Sequence, residues 1–211
     1  MDEPLYSVVE KRIQRTMKAL QANNMEAYYV KTAAEVAPLV RQLAPAGSTV
    51  AAGGSMTLAQ CGVMELLAGG EYNFLDRTGL QGEELQKLYR QVFSADCYFS
   101  SCNAVTEQGE LYNVDGNANR VAALAFGPAS VICVAGYNKI VPDLAAAEAR
   151  VKAIAAPANA ARLHCKTPCA VTGQCENCKS PARICCTTLV QAYQRIPGRV
   201  KVILVGEPLG Y

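Results

Sequence analysis

Apolar residues recur at helical spacing along the first stretch of the chain. Leu5, Val8, Val9, Ile13, Met17 and Leu20 share one face, which predicts an amphipathic helix, the core of an N-terminal helical segment over 1–24, ending near Asn23-Asn24. Residues 25–30, short and carrying Tyr28 and Tyr29, read as a strand. Thr32 and Glu35 have capping-box spacing and open a helix to about Leu43, which Pro45 and Gly47 end. A second strand over 48–52 runs straight into Gly53-Gly54-Ser55. One helix is expected over 57–67, with Leu58, Cys61, Met64 and Leu66 inward, then a strand over 72–75 and a helix over 82–93.

The alternation continues. Residues 97–100 are apolar enough for a buried strand, and 105–114 read as a hairpin around Gln108-Gly109. A short helix is expected over 119–126, a strand buried on both faces over 130–135, an alanine-rich helix over 142–156 and a closing strand over 199–205. Residues 162–186 follow neither period and are expected to be loop-rich. Strand and helix in alternation predict an α/β fold, a three-layer α/β/α sandwich with a mostly parallel sheet, forming one domain over 1–211.

Composition narrows the class. The chain is 51% hydrophobic and 18% charged, which excludes dominant disorder. A formal charge of +2 points to no nucleic-acid partner and no anionic membrane surface. No apolar run reaches the ~18 residues of a membrane span; the longest, 121–136, is interrupted by Gly127, Pro128 and Ser130. Met1-Asp2-Glu3-Pro4 carries acid where a signal peptide carries base, so a cytoplasmic location is expected.

Ten cysteines are the strongest compositional signal. Cys61, Cys97, Cys102 and Cys133 lie in apolar stretches and read as buried, inert thiols. The other six crowd into 165–186. Cys169, Cys175, Cys178 and Cys185 are spaced Cys-x5-Cys-x2-Cys-x6-Cys, and the tight central pair can grip one metal atom or one cluster face. Zinc, a [4Fe-4S] cluster, structural free thiols and redox disulfide chemistry all stay open on spacing alone.

Three polar constellations could carry chemistry. Gly53-Gly54-Ser55-Met56-Thr57 is a strand, a glycine turn and a helix start, suited to an anion or to simple capping. Residues 101–120 crowd Asn103, Glu107, Asp115, Asn117, Asn119 and Arg120 between apolar strands, where a cleft or a surface turn would use the same residues. Asn138-Lys139 follows a buried strand directly and is expected at the same sheet edge as Ser55.

These segments together resemble a family. Asn103-Ala-Val-Thr-Glu107, Gly109-Glu-Leu-Tyr-Asn113-Val-Asp115-Gly116, Asn119-Arg120, Gly136-Tyr-Asn138-Lys139-Ile-Val141 and Ala156-Pro157-Ala-Asn159 look like the LUD-domain (lactate utilisation) family. Thr172-Gly173-Gln-Cys175-Glu-Asn-Cys178, Ser180-Pro181-Ala-Arg183-Ile184-Cys185 and Leu209-Gly210-Tyr211 extend the likeness over nearly the whole chain. It implies a NagB/RpiA/CoA-transferase-like fold with phosphate or CoA-type ligands at the Gly53-Gly54-Ser55 turn. It implies a context of lactate oxidation to pyruvate by a multi-subunit, iron–sulfur-containing system. It also singles out Cys169, Cys175, Cys178 and Cys185 as the ligand set, with Cys165 and Cys186 extra. Ala118 stands where the pattern has glycine, and an alanine there is expected to hold a negative φ.

The first expectation is therefore a component of organic-acid utilisation that binds a small anion, works with other subunits of a lactate-oxidising system and carries a [4Fe-4S] cluster or zinc. Gly53, Gly54, Ser55, Thr57, Asn103, Asn117, Asn119, Arg120 and Asn138 would bind the ligand, with Glu107, Asp115 and Lys139 as the reacting groups. The rivals are a sugar-phosphate isomerase or CoA-transferase-like enzyme using Glu107 or Asp115 as base or nucleophile, and a non-catalytic assembly or regulatory protein with structural zinc. A homo-oligomer is compatible with each.

Overall fold

Consecutive side chains of an extended run point to opposite faces, so a strand apolar at every position needs cover on both sides. A computed structural model describes residues 2–211; Met1, which opens both the expected N-terminal segment and the leader reading, lies outside the described residues. In chain order the elements are α1 Glu3–Ala22, β1 Glu26–Val30, α2 Val36–Leu43, β2 Thr49–Ala52, α3 Met56–Gln60, α4 Val63–Ala68, β3 Asn73–Phe74 and α5 Gly82–Gln91. There follow β4 Cys97–Ser100, β5 Ala104–Thr106, β6 Leu111–Asp115, α6 Asn119–Ala125, β7 Ser130–Gly136 and β8 Ile140–Val141. The chain closes with α7 Leu144–Arg150, α8 Ala156–Arg162, α9 Pro168–Thr172, β9 Thr187–Gln191 and β10 Val200–Val205.

Six strands form the main sheet in the order β1-β10-β7-β4-β2-β3, all parallel. Alternate residues divide between its faces. Tyr98, Val131, Cys133, Val202 and Leu204 pack with Ile13 and Leu20 of α1 and with Ala123 and Leu124 of α6. Phe99, Ile132, Val134, Ile203 and Val205 pack with Val36 and Val40 of α2, Leu58 of α3 and Leu67 of α4. The expected three-layer α/β arrangement is what the residues build.

A second, smaller sheet was not foreseen beyond its hairpin. It runs β8-β5-β6-β9, with β5 and β6 antiparallel around Gly109 (φ +80°). Val105, Leu111 and Ile140 join the core shared with α1 and α6, while Ala104, Tyr112 and Val141 pack outward against Ala147 of α7. β9 escaped the pattern because Thr-Thr-Leu-Val-Gln is a short, half-polar edge strand.

Three helix boundaries differ from expectation. Gly62 turns left-handed (φ +69°) and splits the helix expected over 57–67 into α3 and α4. Thr32 and Glu35 bond each other's side chains (2.9 Å), but the opening turn is 3₁₀ and α2 begins only at Val36. Asp143 caps α7 by accepting from Ala146 N (2.8 Å), and the helical path then continues to Arg162 instead of ending at 156. A widened π turn over Val151–Ala155 precedes Pro157, whose missing N–H would interrupt ordinary helical bonding. Within the expected loop 162–186, α9 is the sole helix among the described residues, ended by Gly173 at φ +74°. No helix among the described residues is long and apolar enough to cross a membrane.

Candidate functional site

The carboxyl ends of parallel strands are where an open α/β sheet leaves a crevice. Here β2, β4 and β7 deliver Gly53-Gly54-Ser55, Ser101-Cys102-Asn103 and Lys139 to one cleft of about 310 Å³. That suits a small molecule. The turn between β6 and α6, residues of α8 and the cysteine segment complete its walls.

Lys139 is the unusual group on the floor. It is 2% exposed, and its Nζ donates to Thr57 Oγ1 and Ser101 Oγ, both at 2.9 Å. No carboxylate among the described residues pairs with it. Burial pushes its pKa down to about 8, helped by Arg150 and Arg120 and opposed by Cys102 and Cys133. Thr57 Oγ1 donates to Leu209 O (3.4 Å), and Asn138 holds the same tail through Leu209 N (3.0 Å). A Cβ on Gly210 would meet Thr57 Oγ1 at 2.6 Å, so the tail passes tightly over the lysine.

Arg120 is a knot rather than a free cation. Its guanidinium donates to Asn113 Oδ1 (2.6 Å), Val114 O (2.7 Å), Ser101 O (3.3 Å) and Asn103 Oδ1 (3.3 Å), and its Nε lies 3.4 Å from Asp115 Oδ2. Asp115 Oδ1 accepts from Asn117 N and Ala118 N, both at 3.1 Å. Both Asp115 oxygens are thus committed to building the turn. Ala118 sits at φ +59°, correcting the expectation of a negative φ: the Asp115 bonds and the start of α6 hold alanine in a glycine-like conformation.

The expected ligand residues divide cleanly. Gly53, Gly54, Ser55, Thr57, Asn103, Asn117, Asn119 and Arg120 line the cleft together with Asp115 and Lys139. Ser55 caps α3 through Leu58 N (3.2 Å). Glu107 lies outside, paired with Arg12 (2.7 Å) and Arg15 (3.4 Å) of α1. Asn138 also lies outside and fastens the tail.

Sequence reasoning missed Arg77, Ser101, Arg162, Arg183 and Tyr211, all of which line the cleft. Arg77 lies over Gly54, where a Cβ would come within 2.5 Å of its Nη2. Arg77, Arg162 and Arg183 have no carboxylate partner among the described residues. The Tyr211 hydroxyl is buried without a hydrogen-bond partner among the described residues. Arg183 and Tyr211 stood inside motifs already singled out; Arg77 had no local signal.

The cysteine segment forms part of the wall of this cleft through Arg183 and Ile184. Ile184 abuts Gly116, where a Cβ would meet the Ile184 Cα at 3.2 Å, and Cys186 N donates to Asp115 O (2.9 Å). Arg183 donates to the carbonyls of Cys178 (3.0 Å) and Cys185 (2.9 Å). Cys169, Cys175, Cys178 and Cys185 are half-buried free thiols. Their chemistry suits zinc or a [4Fe-4S] cluster, but no three His, Cys, Asp or Glu side chains among the described residues are grouped to hold one metal ion. Cys61, Cys97, Cys102 and Cys133 are buried as expected. Cys102 nevertheless reaches the cleft, and the neighbouring Cys133 thiol draws its pKa below the usual thiol value.

Comparison with known proteins agrees with this architecture. A solved DUF162 family protein from Deinococcus radiodurans shares the fold at TM-score 0.53 and 18% identity, over 93% of this chain and 98% of that one. A malonate decarboxylase hetero-tetramer from Pseudomonas, solved with malonate, aligns at TM-score 0.34 and 12% identity over 67% of this chain and 35% of that one, too distant to carry an argument. No curated protein matches. The sequence profile of the LUD domain matches residues 13–205, nearly the full length. The chain therefore belongs to the LUD domain family, which is associated with lactate utilisation.

Proposed function

We propose that the cleft binds a small organic-acid anion, with lactate or its oxidation product as the reference ligands, and that the chain serves organic-acid utilisation alongside other subunits. The observation that carries this reading is Lys139, a buried cation with no carboxylate partner among the described residues, opening into a cleft edged by three further guanidinium groups that likewise have none. A buried charge is costly unless something opposite neutralises it. A carboxylate ligand does so, and the partnerless Tyr211 hydroxyl adds a donor at the same place. The isomerase or transferase alternative draws less support, because Glu107 points away into Arg12 and Arg15 and both Asp115 oxygens are engaged. Calorimetric titration with lactate and with pyruvate tests the reading. Binding that disappears in Lys139→Met but persists in Glu107→Gln supports it; no binding of either acid by the intact protein overturns it.

The cysteine segment carries a second, separate proposal. An all-thiol set of Cys169, Cys175, Cys178 and Cys185 would hold zinc or a [4Fe-4S] cluster once the segment closes around it, which favours a structural or electron-handling role. Iron, acid-labile sulfide and zinc per chain, measured after anaerobic purification, decide between these centres; the absence of all three removes the proposal.

A further inference from the structure

We propose that Lys139 forms a Schiff base with the carbonyl carbon of a small 2-oxo acid held in the cleft. The inference rests on the anion-binding reading above and names the substrate class of that same site. The hydrogen-bond directions around Nζ carry it. Thr57 and Ser101 each have one hydroxyl hydrogen, and each gives it to a carbonyl: Thr57 to Leu209 O (3.4 Å) and Ser101 to Cys102 O (3.3 Å). Both hydroxyls therefore accept from Lys139, at 2.9 Å each. In the neutral amine those two bonds use both N–H groups, and the lone pair is left for an electrophile. The same directions count against Ser101 as a nucleophile with Lys139 as its base, since Ser101 would then have to donate to Nζ.

The surroundings suit an amine that must be neutral to react. Lys139 is 2% exposed and faces Arg120 and Arg150 as well as the thiols of Cys102 and Cys133, and its pKa falls to about 8. Desolvation beside other cations is how lysines are activated toward carbonyl compounds. The guanidinium groups of Arg77, Arg162 and Arg183, which have no carboxylate partner among the described residues, suit the carboxylate of such a substrate. In the reaction the Nζ lone pair forms a C–N bond to the carbonyl carbon. Both amine hydrogens then leave with the carbonyl oxygen as one water, giving the C=N bond. No oxidant or reductant takes part.

Borohydride trapping tests the step on the intact chain. The protein is incubated with pyruvate, reduced with sodium borohydride, and examined by intact mass and by peptide mapping. One reduced pyruvyl adduct is expected, mapping to Lys139, at least about tenfold above any other lysine, and absent with lactate, which lacks the carbonyl. Mapping on the wild-type protein makes the result independent of whether a variant folds; Lys139→Arg, which keeps the charge but forms no stable imine, is expected to lose the adduct. Adducts spread over surface lysines overturn the proposal. So does calorimetric binding of pyruvate without any adduct, which leaves the anion-binding reading standing. Failure of both pyruvate and lactate to bind overturns that reading instead.

Discussion

Arg77 Nη2 lies so close over Gly54 that a single added carbon there would stand 2.5 Å from it. The guanidinium thus reaches the cleft through space that only glycine leaves open. Gly54 does not have a positive φ, so alanine is compatible with its backbone. Gly54→Ala is expected to push the flexible end of Arg77 aside and weaken lactate or pyruvate binding about tenfold, with little change in the urea midpoint. Unchanged affinity in a calorimetric titration would remove Arg77 from the site.

The lowered pKa of Lys139 has two consequences of definite sign. Anion binding should fall as pH rises through about 8, where the folded protein loses this charge. Stability should move the other way. The unfolded lysine keeps its proton up to about 10.4, so between roughly 8 and that value the unfolded state binds more protons and the contribution of Lys139 to stability rises with pH. Below about 8 the burial penalty of the charge is fully present. Urea titrations of wild type and Lys139→Met across this range measure the difference; parallel pH profiles would show an unperturbed lysine.

Arg120 ties β6, the β4–β5 connection and the start of α6 together through four hydrogen bonds and one ion pair. Arg120→Ala leaves the Asp115 carboxylate and the Val114 carbonyl without this partner. A loss of roughly 3 kcal/mol is expected, read by chemical denaturation. Arg120→Lys should recover only a minor part, because an ammonium cannot span the fork. Full recovery by lysine would mean that charge alone matters there.

Ala118 gives the opposite kind of variant. At φ +59° it bears a strain that glycine does not. Ala118→Gly is expected to raise stability by about 0.5 kcal/mol, the relief of left-handed strain less the added freedom of the unfolded chain. A destabilised variant would show that the methyl group packs usefully.

The alternating α/β pattern was legible because its strongest strands, β7 and β10, are nearly continuous apolar runs, broken only by Ser130 at the start of one and by Lys201 in the other. What escaped was decided by neighbours. β9 becomes a strand because β6 offers it an edge, and the split between α3 and α4 hangs on the sign of one φ at Gly62. At the site, the glycine turn, Arg120 and Lys139 announced themselves by clustering around strand ends. Arg77 and Arg162 are ordinary surface arginines in sequence, and only the folded chain turns them toward one cleft. Glu107 shows the converse, since a carboxylate in a promising motif is claimed by two arginines almost a hundred residues away.

The strand order also has a kinetic meaning. β10 lies between β1 and β7, so β1 has no sheet partner until residues 200–205 arrive. Every ladder pair of β1 must bridge 175 residues of chain, and such long-range closure is the slow kind. Until it happens, β1 and β7 each expose a bare edge that could recruit another chain. During synthesis β1 thus waits unpaired for residues 200–205, and the interval before they arrive is when the chain is most open to association with other chains.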